Sequence, residues 1–508
     1  MRRRGPAQPG VRGSYSAGLS WGALSFVLNA SLGLLSSVVI ARLYGISVVG
    51  AYTLAMAPMQ ALWQLSTVRE QAAFVRALAS LQPREPRVTG LFIAVFAFSS
   101  ALTLVAAGLA ALAVYLLYNG PIAHPDLIGP ALAGLVGYLL IFNVAWNLDM
   151  VLSGFRAGRE LNAVRVHQAA LFVVLVAVGG AVAQTVWVLV VATIAAQASS
   201  LAHRLVIIRR YLKFPIARAE VREGMRALPD FIRFGLKVTP GELASGVSAQ
   251  SGTWVLAVVG TLPQVGGYSR AWLLAMRFFE LNYRVTEMLF PTLVERRDSG
   301  DRPGFDQTLV DTLRYAAVGL LLLAAAGGGA ATAVMGIYGE GFGIAADALA
   351  VALVVPAVVT LCAVQRHALF AVDRPLLGSA SALIGMAATV GATIALTLEF
   401  GLVGTASGAL IGYSTDLLIL SVAVRRHLST PVTRLWPVRQ FAALAAAYAA
   451  GFAAARLVDD ALDGAVGLLC ALPAGAIAYL AVFVALGGVG PRDRVRLRWA
   501  RERLRRRA

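Results

Sequence analysis

The chain has 508 residues, of which 58% are hydrophobic and 14% charged, and its formal net charge is +18. This composition excludes an ordinary soluble globular protein and is typical of a polytopic helical membrane protein. No G-x-x-x-x-G-K-[ST] phosphate-binding loop occurs, so ATP hydrolysis by that route is excluded. The two cysteines, Cys362 and Cys470, lie inside apolar stretches, which argues against a disulfide framework or a metal site. We expect no cofactor.

Windows of about 20 apolar residues predict about fourteen membrane-spanning helices. In chain order, these spans cover residues 16–41, 47–68, 89–118, 128–153, 164–184, 187–208, 230–259, 264–291, 312–337, 346–371, 376–398, 402–424, 438–457 and 464–488. The predicted fold class is therefore an all-α polytopic membrane protein.

Lysine and arginine are concentrated in alternate loops. The even-numbered loops and both tails hold 36 of the 44 basic residues, whereas the odd-numbered loops hold only Arg42 and Arg456. Basic residues accumulate on the cytoplasmic side of a membrane, so both termini are predicted to be cytoplasmic and the protein to lie in the inner (cytoplasmic) membrane. The net charge is thus a topology signal, and nucleic acid is not an expected partner. The basic tails are expected to contact anionic lipids.

Two stretches repeat one pattern at the external end of a span. ARLYGISVVGAY, residues 41–52, follows the first span, and LAVVGTLPQVGGY, residues 256–268, follows the seventh. The equivalent residues are Gly45 with Gly260, Gly50 with Gly266, and Tyr52 with Tyr268. The repeat is therefore about 216 residues and six spans long. Because six is even, both copies have the same orientation in the membrane.

A weaker repeat marks the ends of the fourth and tenth spans, LSGFRAGRE at 152–160 and LFAVDRP at 369–375. Two copies of a six-helix unit predict two parallel lobes that rock about a central site, which is alternating access. The predicted organisation is a basic tail, an N-lobe, a C-lobe, two further spans and a second basic tail, at residues 1–15, 16–229, 230–428, 429–488 and 489–508.

The turn ARLYGISVVGAY resembles the ARLLGPxxYGxY turn that follows the first span of Wzx-type polysaccharide transporters, the bacterial lipid-linked oligosaccharide flippases. These proteins share a superfamily with multidrug and toxin extruders and with the lipid II flippase. The resemblance implies a MATE-like fold of two six-helix bundles around a central cavity, with two additional C-terminal helices. It also implies a polyprenyl-diphosphate-linked oligosaccharide as cargo, with a glycan polymerase and glycosyltransferases as partners.

The eighth span carries three arginines, Arg270, Arg277 and Arg284, at a spacing of seven. This spacing places them on one helix face. A charge at mid-membrane costs about 3 kcal/mol, so the face is predicted to line a wet cavity or to pair with other helices. Guanidinium groups bind phosphate oxygens bidentately. We therefore predict that Arg277 binds the diphosphate, with Arg284 toward the cytoplasm, Arg270 toward the outside, and Lys237 at the cytoplasmic entrance.

Two glutamates on the same span leave a second interpretation open. Glu280 and Glu287 follow Arg277 and Arg284 by three residues, a spacing that allows ion pairs within one helix. Such pairs would hold the lobes together or act in gating, without contacting cargo.

Three further carboxylates are candidates for coupling transport to H⁺ or Na⁺. Glu242 follows Pro240-Gly241, a pair that frees backbone carbonyls and favours a broken helix with an ion site. Asp416 lies near the middle of the twelfth span, where a buried carboxylate is a candidate proton carrier. For both Glu242 and Asp416 the alternative is a structural pairing with an arginine or a hydroxyl of a neighbouring helix. Asp149, near the cytoplasmic end of the fourth span, is interpreted either as a coupling group or as a gate that pairs with a basic side chain.

We predict a non-enzymatic flippase that exports a lipid-linked oligosaccharide, with no catalytic and no metal-binding residues. The first alternative is a multidrug or small-solute antiporter of the same superfamily, for which acidic cavity groups are expected. The second is a membrane glycosyltransferase, ligase or polymerase, which needs catalytic groups on the outside. The longest external segments offer only His124, Asp126, Glu340 and Asp347 for that role.

Overall fold

The computed structural model describes residues 15–65, 70–78, 81–236, 239–428, 438–462 and 464–489. Within these ranges the chain is helical and contains no strand, which confirms the predicted all-α class. The residues form two compact units: the first ends at Ser269 and the second begins at Arg270. The lobe boundary predicted at 229/230 stays a prediction.

Within the described residues, the first unit contains nine α-helices and the beginning of a tenth. They are α1 (Tyr15–Leu65), α2 (Glu70–Leu78), α3 (Pro86–Asn119), α4 (Ile128–Gly137), α5 (Asn143–Gly154), α6 (Gly158–Val182), α7 (Val186–Ile208), α8 (Arg218–Leu236), α9 (Thr239–Val259) and α10 (Leu262–Asp298). A π-helical turn, Tyr138–Phe142, joins α4 to α5.

The second unit contains the remainder of α10 and seven further helices in the described ranges. They are α11 (Arg302–Gly329), α12 (Ala331–Gly336), α13 (Ala346–Ala352), α14 (Val355–Ala371), α15 (Pro375–Leu428), α16 (Val438–Ala461) and α17 (Gly464–Ala485).

Ten helical stretches of the described residues are long and apolar enough to cross a membrane. Two of them bend at a glycine in the left-handed region, where residues other than glycine are disfavoured. Gly45 in α1 has a φ of 76° and Gly401 in α15 a φ of 56°. Each bend separates two predicted spans. The chain is thus a multi-pass membrane protein, and the total of fourteen spans stays a prediction.

The seventh predicted span, residues 230–259, covers the end of α8 and all of α9. Its first residues belong to α8, a strongly amphipathic helix with one charged face, which is typical of a helix at a membrane surface. α8 packs on α3 at a contact between Gly224 and Gly90, where a Cβ on either glycine would overlap the other helix's backbone. α9 covers Thr239–Val259. Residues 237 and 238 lie outside the described part of the chain, so the bounds of the seventh span stay a prediction.

The weaker sequence repeat has the same backbone geometry in both copies. Arg156 and Asp373 have φ values of 58° and 59°. The amide of Ala157 donates to the carbonyl of Leu152, and the amide of Arg374 donates to the carbonyl of Leu369, each at 2.9 Å. This six-residue hydrogen bond is the Schellman ending of a helix. Helices α5 and α14 therefore end in the same way, 217 positions apart.

Each unit has an apolar core that holds the helices bearing its buried charges. In the first unit, Phe74, Leu91, Val151 and Phe155 pack together and anchor α5. In the second, a cluster of buried side chains from α11, α14, α15, α16 and α17 anchors α14 and α15. The charged side chains described below are thus fixed on rigid elements.

Candidate functional site

The first unit contains a partly open cavity of about 260 Å³ between the end of α1, the π-helical turn, α5 and α7. Four of its lining side chains are aromatic. The rings of Trp63 and Trp146 meet edge to face at 5.6 Å, and those of Tyr138 and Phe142 are stacked at 6.0 Å. Both ends of the π-helical turn thus contribute a ring. Such turns occur frequently at functional sites.

A buried ion pair lies in the wall of this cavity. Arg204 Nε is 2.6 Å from Asp149 Oδ1, and Arg204 Nη2 is 3.1 Å from Asp149 Oδ2. Asp149 is 5% exposed and Arg204 3% exposed, and a charge buried to this degree requires a partner. Arg204 Nη1 also donates to Ser200 Oγ at 2.7 Å. The pair therefore adds two opposite charges and no net charge to the cavity.

Sequence reasoning identified Asp149 and missed Arg204. The count of basic residues in each loop assigned Arg204 to the loop that follows the sixth span. The structure places Arg204 in the last two turns of α7. A usable signal was present: Gln197, Ser200 and Arg204 recur at spacings of three and four along α7, which places them on one face.

Two amides complete the polar lining. Gln60 accepts a hydrogen bond from Gln250 of α9 at 2.8 Å. Gln197 is 6% exposed, and its Oε1 has no hydrogen-bond partner within the described ranges. The same holds for the indole Nε1 of Trp146. Both unsatisfied atoms are buried inside the wall, with almost no accessible surface.

The second unit contains its own ion pair, in which the acid is buried and the base is partly buried. Arg366 Nη2 of α14 is 2.5 Å from Asp416 Oδ2 of α15, and Asp416 is 4% exposed. Two glycines of α15 make room for it: a Cβ on Gly378 would lie 2.7 Å from Arg366 Cγ, and one on Gly385 would lie 2.8 Å from Asp416 Cβ. Asp416, predicted as a coupling residue, thus has a guanidinium partner on the neighbouring helix.

Arg366 and Asp149 occupy equivalent places in the repeat, 217 positions apart, as Asp373 and Arg156 do. The charges are exchanged between the copies. In the first unit the acid lies on α5 and the base on α7, whereas in the second the base lies on α14 and the acid on α15.

The predicted phosphate-binding arginines lie on α10. Arg270 is 6% exposed, and Arg277, two turns further along the helix, is half-buried. The backbone of residues 280–288 continues α10. The side chains of Glu280, Arg284 and Glu287, and the whole of Lys237, lie outside the described part of the chain.

Glu242 is an exposed residue in the first turn of α9. It is not among the residues that line the cavity of the first unit. Within the described ranges, His, Cys, Asp and Glu form no group of three or more that could hold a metal ion.

No protein-family model and no curated protein matches the chain. Solved structures do match. The lipid II flippase MurJ, in an inward closed conformation, has a TM-score of 0.69 at 15% identity over 92% of this chain and 98% of its own. An inward-facing multidrug resistance transporter of the MATE family has a TM-score of 0.61 at 13% identity over 80% of this chain and 98% of its own.

A third similar structure is a MOP superfamily transporter from Pyrococcus furiosus, described as having a binding pocket of reverse polarity. Its TM-score is 0.53 at 13% identity over 84% of this chain and 99% of its own. At these identities the likeness concerns the fold. It confirms the predicted MATE-like architecture, and the more specific resemblance to Wzx-type transporters stays a prediction.

Proposed function

We propose that the protein is a non-enzymatic flippase of the inner membrane that moves a polyprenyl-diphosphate-linked oligosaccharide outward by alternating access. Both termini are cytoplasmic in this proposal. The observation that carries it is the position of Arg270 and Arg277 on one long helix, α10. These guanidiniums lie within a stretch long enough to cross a bilayer, where a charge costs about 3 kcal/mol unless it is paired or hydrated.

The chemistry of the cargo explains why such arginines are retained. A diphosphate headgroup has to pass an apolar barrier while its lipid tail stays in the bilayer. Arginine remains charged at every cellular pH and offers a planar fork of donors to phosphate oxygens. Arg277 is the central contact in this proposal, with Arg270, Arg284 and Lys237 as further contacts along the path. Two rigid units that alternate in access would then carry the headgroup across.

Coupling and partners complete the proposal. Glu242 and Asp416 are the candidates for coupling to H⁺ or Na⁺, and Glu280, Glu287 and Asp149 are candidates for gating. The partners are the lipid-linked oligosaccharide, anionic lipids at the basic tails, and the enzymes that build and polymerise the glycan.

A second candidate is a multidrug antiporter that exports organic cations. The four aromatic rings around the cavity of the first unit favour it, because aromatic faces attract cations. Its weakness is electrostatic: the carboxylate of Asp149 in that cavity is already neutralised by Arg204 at 2.6 Å.

The test is transport by the full chain in proteoliposomes, with a fluorescent polyprenyl-diphosphate glycan and the cationic dye rhodamine 6G as alternative cargoes. We expect outward movement of the glycan lipid and none of the dye. Arg277→Ala should abolish glycan-lipid transport, and Arg277→Lys should retain part of it. Arg296→Ala is the matched control, because Arg296 lies on the same helix in an exposed ion pair with Asp301.

Full export by Arg277→Ala in a glycan-export-deficient cell removes Arg277 from the site. Transport of the dye in place of the glycan lipid overturns the flippase assignment and establishes the antiporter.

A further inference from the structure

Helix α8 carries its four arginines on one side. At about 100° per residue, their positions fall within an arc of about 80°. They are Arg218, Arg222, Arg226 and Arg233. All four residues are exposed, and within the described ranges none of their guanidinium groups has a hydrogen bond or an ion pair. This set of arginines is the basic stripe of α8.

The acidic residues of α8 lie on another side, about 120° around the helix from the basic stripe. They are Glu220, Glu223 and Asp230. Glu220 Oε2 accepts a hydrogen bond from the amide of Ala217 at 2.7 Å, and Glu223 Oε1 is 3.1 Å from Arg87 Nε of α3. In the described part of the chain the acids therefore leave the basic stripe without neutralisation, and the two signs of charge face different surroundings.

The third side of α8 is buried against the first unit. Leu228 belongs to the apolar core of that unit, and Gly224 meets the backbone of Gly90. Gly90 and Arg87 lie in the first turns of α3, which begins at Pro86 and is long and apolar enough to cross a membrane. α8 is therefore fixed at the level where α3 enters the apolar layer, which is the level of the lipid headgroups.

Apolar side chains are exposed beside the arginines. Met225 is 47% and Leu236 53% exposed, and both lie within about 20° of the arc of the basic stripe. Exposure of such groups to water is unfavourable. The boundary between headgroups and acyl chains accommodates them, and it also lets the long arginine side chains reach lipid phosphates. This mixture on one face is typical of a surface that meets lipid.

We propose that the basic stripe of α8 binds the headgroup phosphates of anionic phospholipids. Met225 and Leu236 then lie at the acyl-chain boundary, and the acidic side of the helix faces water. Guanidinium groups bind phosphate oxygens bidentately, and the negative potential of an anionic leaflet attracts basic residues. The site is separate from the basic tails and from the arginines of α10. It holds for a flippase and for an antiporter alike, because its ligand is the surrounding membrane and not the cargo.

The first experiment locates two sides of α8 by spin labels on the full chain in nanodiscs of phosphatidylcholine and phosphatidylglycerol. The background is Cys470→Ser, because Cys470 is exposed and Cys362 is buried. Met225→Cys places the label beside the basic stripe, and Asp230→Cys places it on the acidic side. We expect oxygen, which dissolves in lipid, to relax the label at 225 more strongly, and a water-soluble nickel chelate to relax the label at 230 more strongly. Equal surroundings for the two labels, or the reverse order, overturn the proposal.

The second experiment measures phosphatidylglycerol binding to the purified full chain by native mass spectrometry. Glutamine in place of all four arginines of the stripe should weaken the tightest site at least about tenfold, since one basic residue at an anionic surface contributes about fivefold. Lysine at the same four positions should retain most of the affinity, because the charge is kept. Phosphatidylcholine should bind the original chain and both variants equally.

A matched control removes the same charge elsewhere. Four exposed arginines of the second unit are replaced by glutamine together: Arg302, Arg374, Arg425 and Arg426. This variant should keep the affinity for phosphatidylglycerol, and the thermal unfolding midpoint of each variant reports whether it is folded. The proposal is overturned if the control loses as much affinity as the stripe variant, or if the stripe variant binds phosphatidylglycerol as tightly as the original chain. The spin labels leave the arginines in place, so they decide the point even if the stripe variant does not fold.

Discussion

Gly50 and Gly266 pack backbone against backbone where α1 meets the start of α10. A Cβ on Gly50 would overlap the carbonyl oxygen of Leu262, and a Cβ on Gly266 would overlap that of Ile46. Gly50 and Gly266 are 216 positions apart, and so are Ile46 and Leu262. The two copies of the repeated turn therefore contact each other reciprocally, as surfaces related by a two-fold axis do.

A hydrogen bond continues the same contact. Thr53 Oγ1 donates to Ser269 Oγ at 3.1 Å, and this pair is also 216 positions apart. Residues at equivalent positions of the sequence repeat are thus in contact with each other. Small side chains are required here because a helix backbone approaches another closely.

A methyl group at this contact should destabilise the protein. Gly50→Ala is expected to lose about 1–3 kcal/mol, the usual effect of overpacking, because the obstructing atom is a backbone carbonyl that cannot move away. The matched control is Gly108→Ala in α3, where a Cβ meets no atom within 4 Å. It should be neutral or gain up to about 1 kcal/mol from helix propensity. Thermal unfolding in detergent measures both, and equal stability of the two variants would contradict the close contact.

Removal of one member of the cavity ion pair should cost more than removal of both. Asp149→Leu leaves the 3% exposed Arg204 as an unpaired buried charge, at a cost of about 3–5 kcal/mol. The double variant Asp149→Leu with Arg204→Met should recover much of this loss, since an apolar pair of similar volume tolerates burial. Denaturant unfolding of the two single variants and the double variant gives the coupling energy. Additive losses would show that the two side chains do not depend on each other.

Gly385 leaves space beside the ion pair of Arg366 and Asp416. A substitution at this glycine tests how closely α15 packs there. Gly385→Ala places a methyl group 2.8 Å from Asp416 Cβ and should lose about 1–3 kcal/mol by overpacking. Gly391→Ala, on the same helix, meets no atom within 4 Å and should be neutral or slightly stabilising. Thermal midpoints of the two variants decide the point: an undisturbed Gly385→Ala protein would mean that α15 is not packed this closely on the ion pair.

Arg156 and Asp373 occupy the same position at the ends of α5 and α14, so the same substitution can be compared at both. Arg156 has a φ of 58°, a conformation that costs a residue with a Cβ about 1–2 kcal/mol, so Arg156→Gly should stabilise the protein by up to about 1 kcal/mol. Asp373→Gly should gain less, because Asp373 also accepts a hydrogen bond from Arg297 at 2.7 Å. Unfolding midpoints rank the two variants, and the reverse order would contradict this account.

Several features of the architecture follow from the amino-acid order alone. Apolar runs locate helices because a bilayer core leaves no other partner for the backbone amides. Glycines mark the bends at positions 45 and 401 because left-handed φ values need them. The lengths of α3 and α7 agree with the predicted spans to within several residues, whereas α10 continues to Asp298, seven residues beyond the predicted end. Hydropathy does not locate that end, because it averages over a helix and does not show where a helix continues beyond its apolar part.

The candidate site was predictable only in part. Asp149 and Asp416 stood out as carboxylates inside apolar helices, and the three arginines of α10 by their spacing. Their partners did not stand out. Arg204 is 55 residues from Asp149 and Arg366 is 50 from Asp416, and nothing in local spacing relates positions so far apart on different helices.

The order of the amino acids thus determined the helices, the alternation of basic residues between successive loops and the internal repeat, because each depends on near neighbours in the chain or on the apolar length of a helix. The tertiary structure alone decided which charges meet and where a cavity remains. Both depend on the angle and depth at which α5 packs on α7 and α14 on α15, and many apolar contacts made together set that packing.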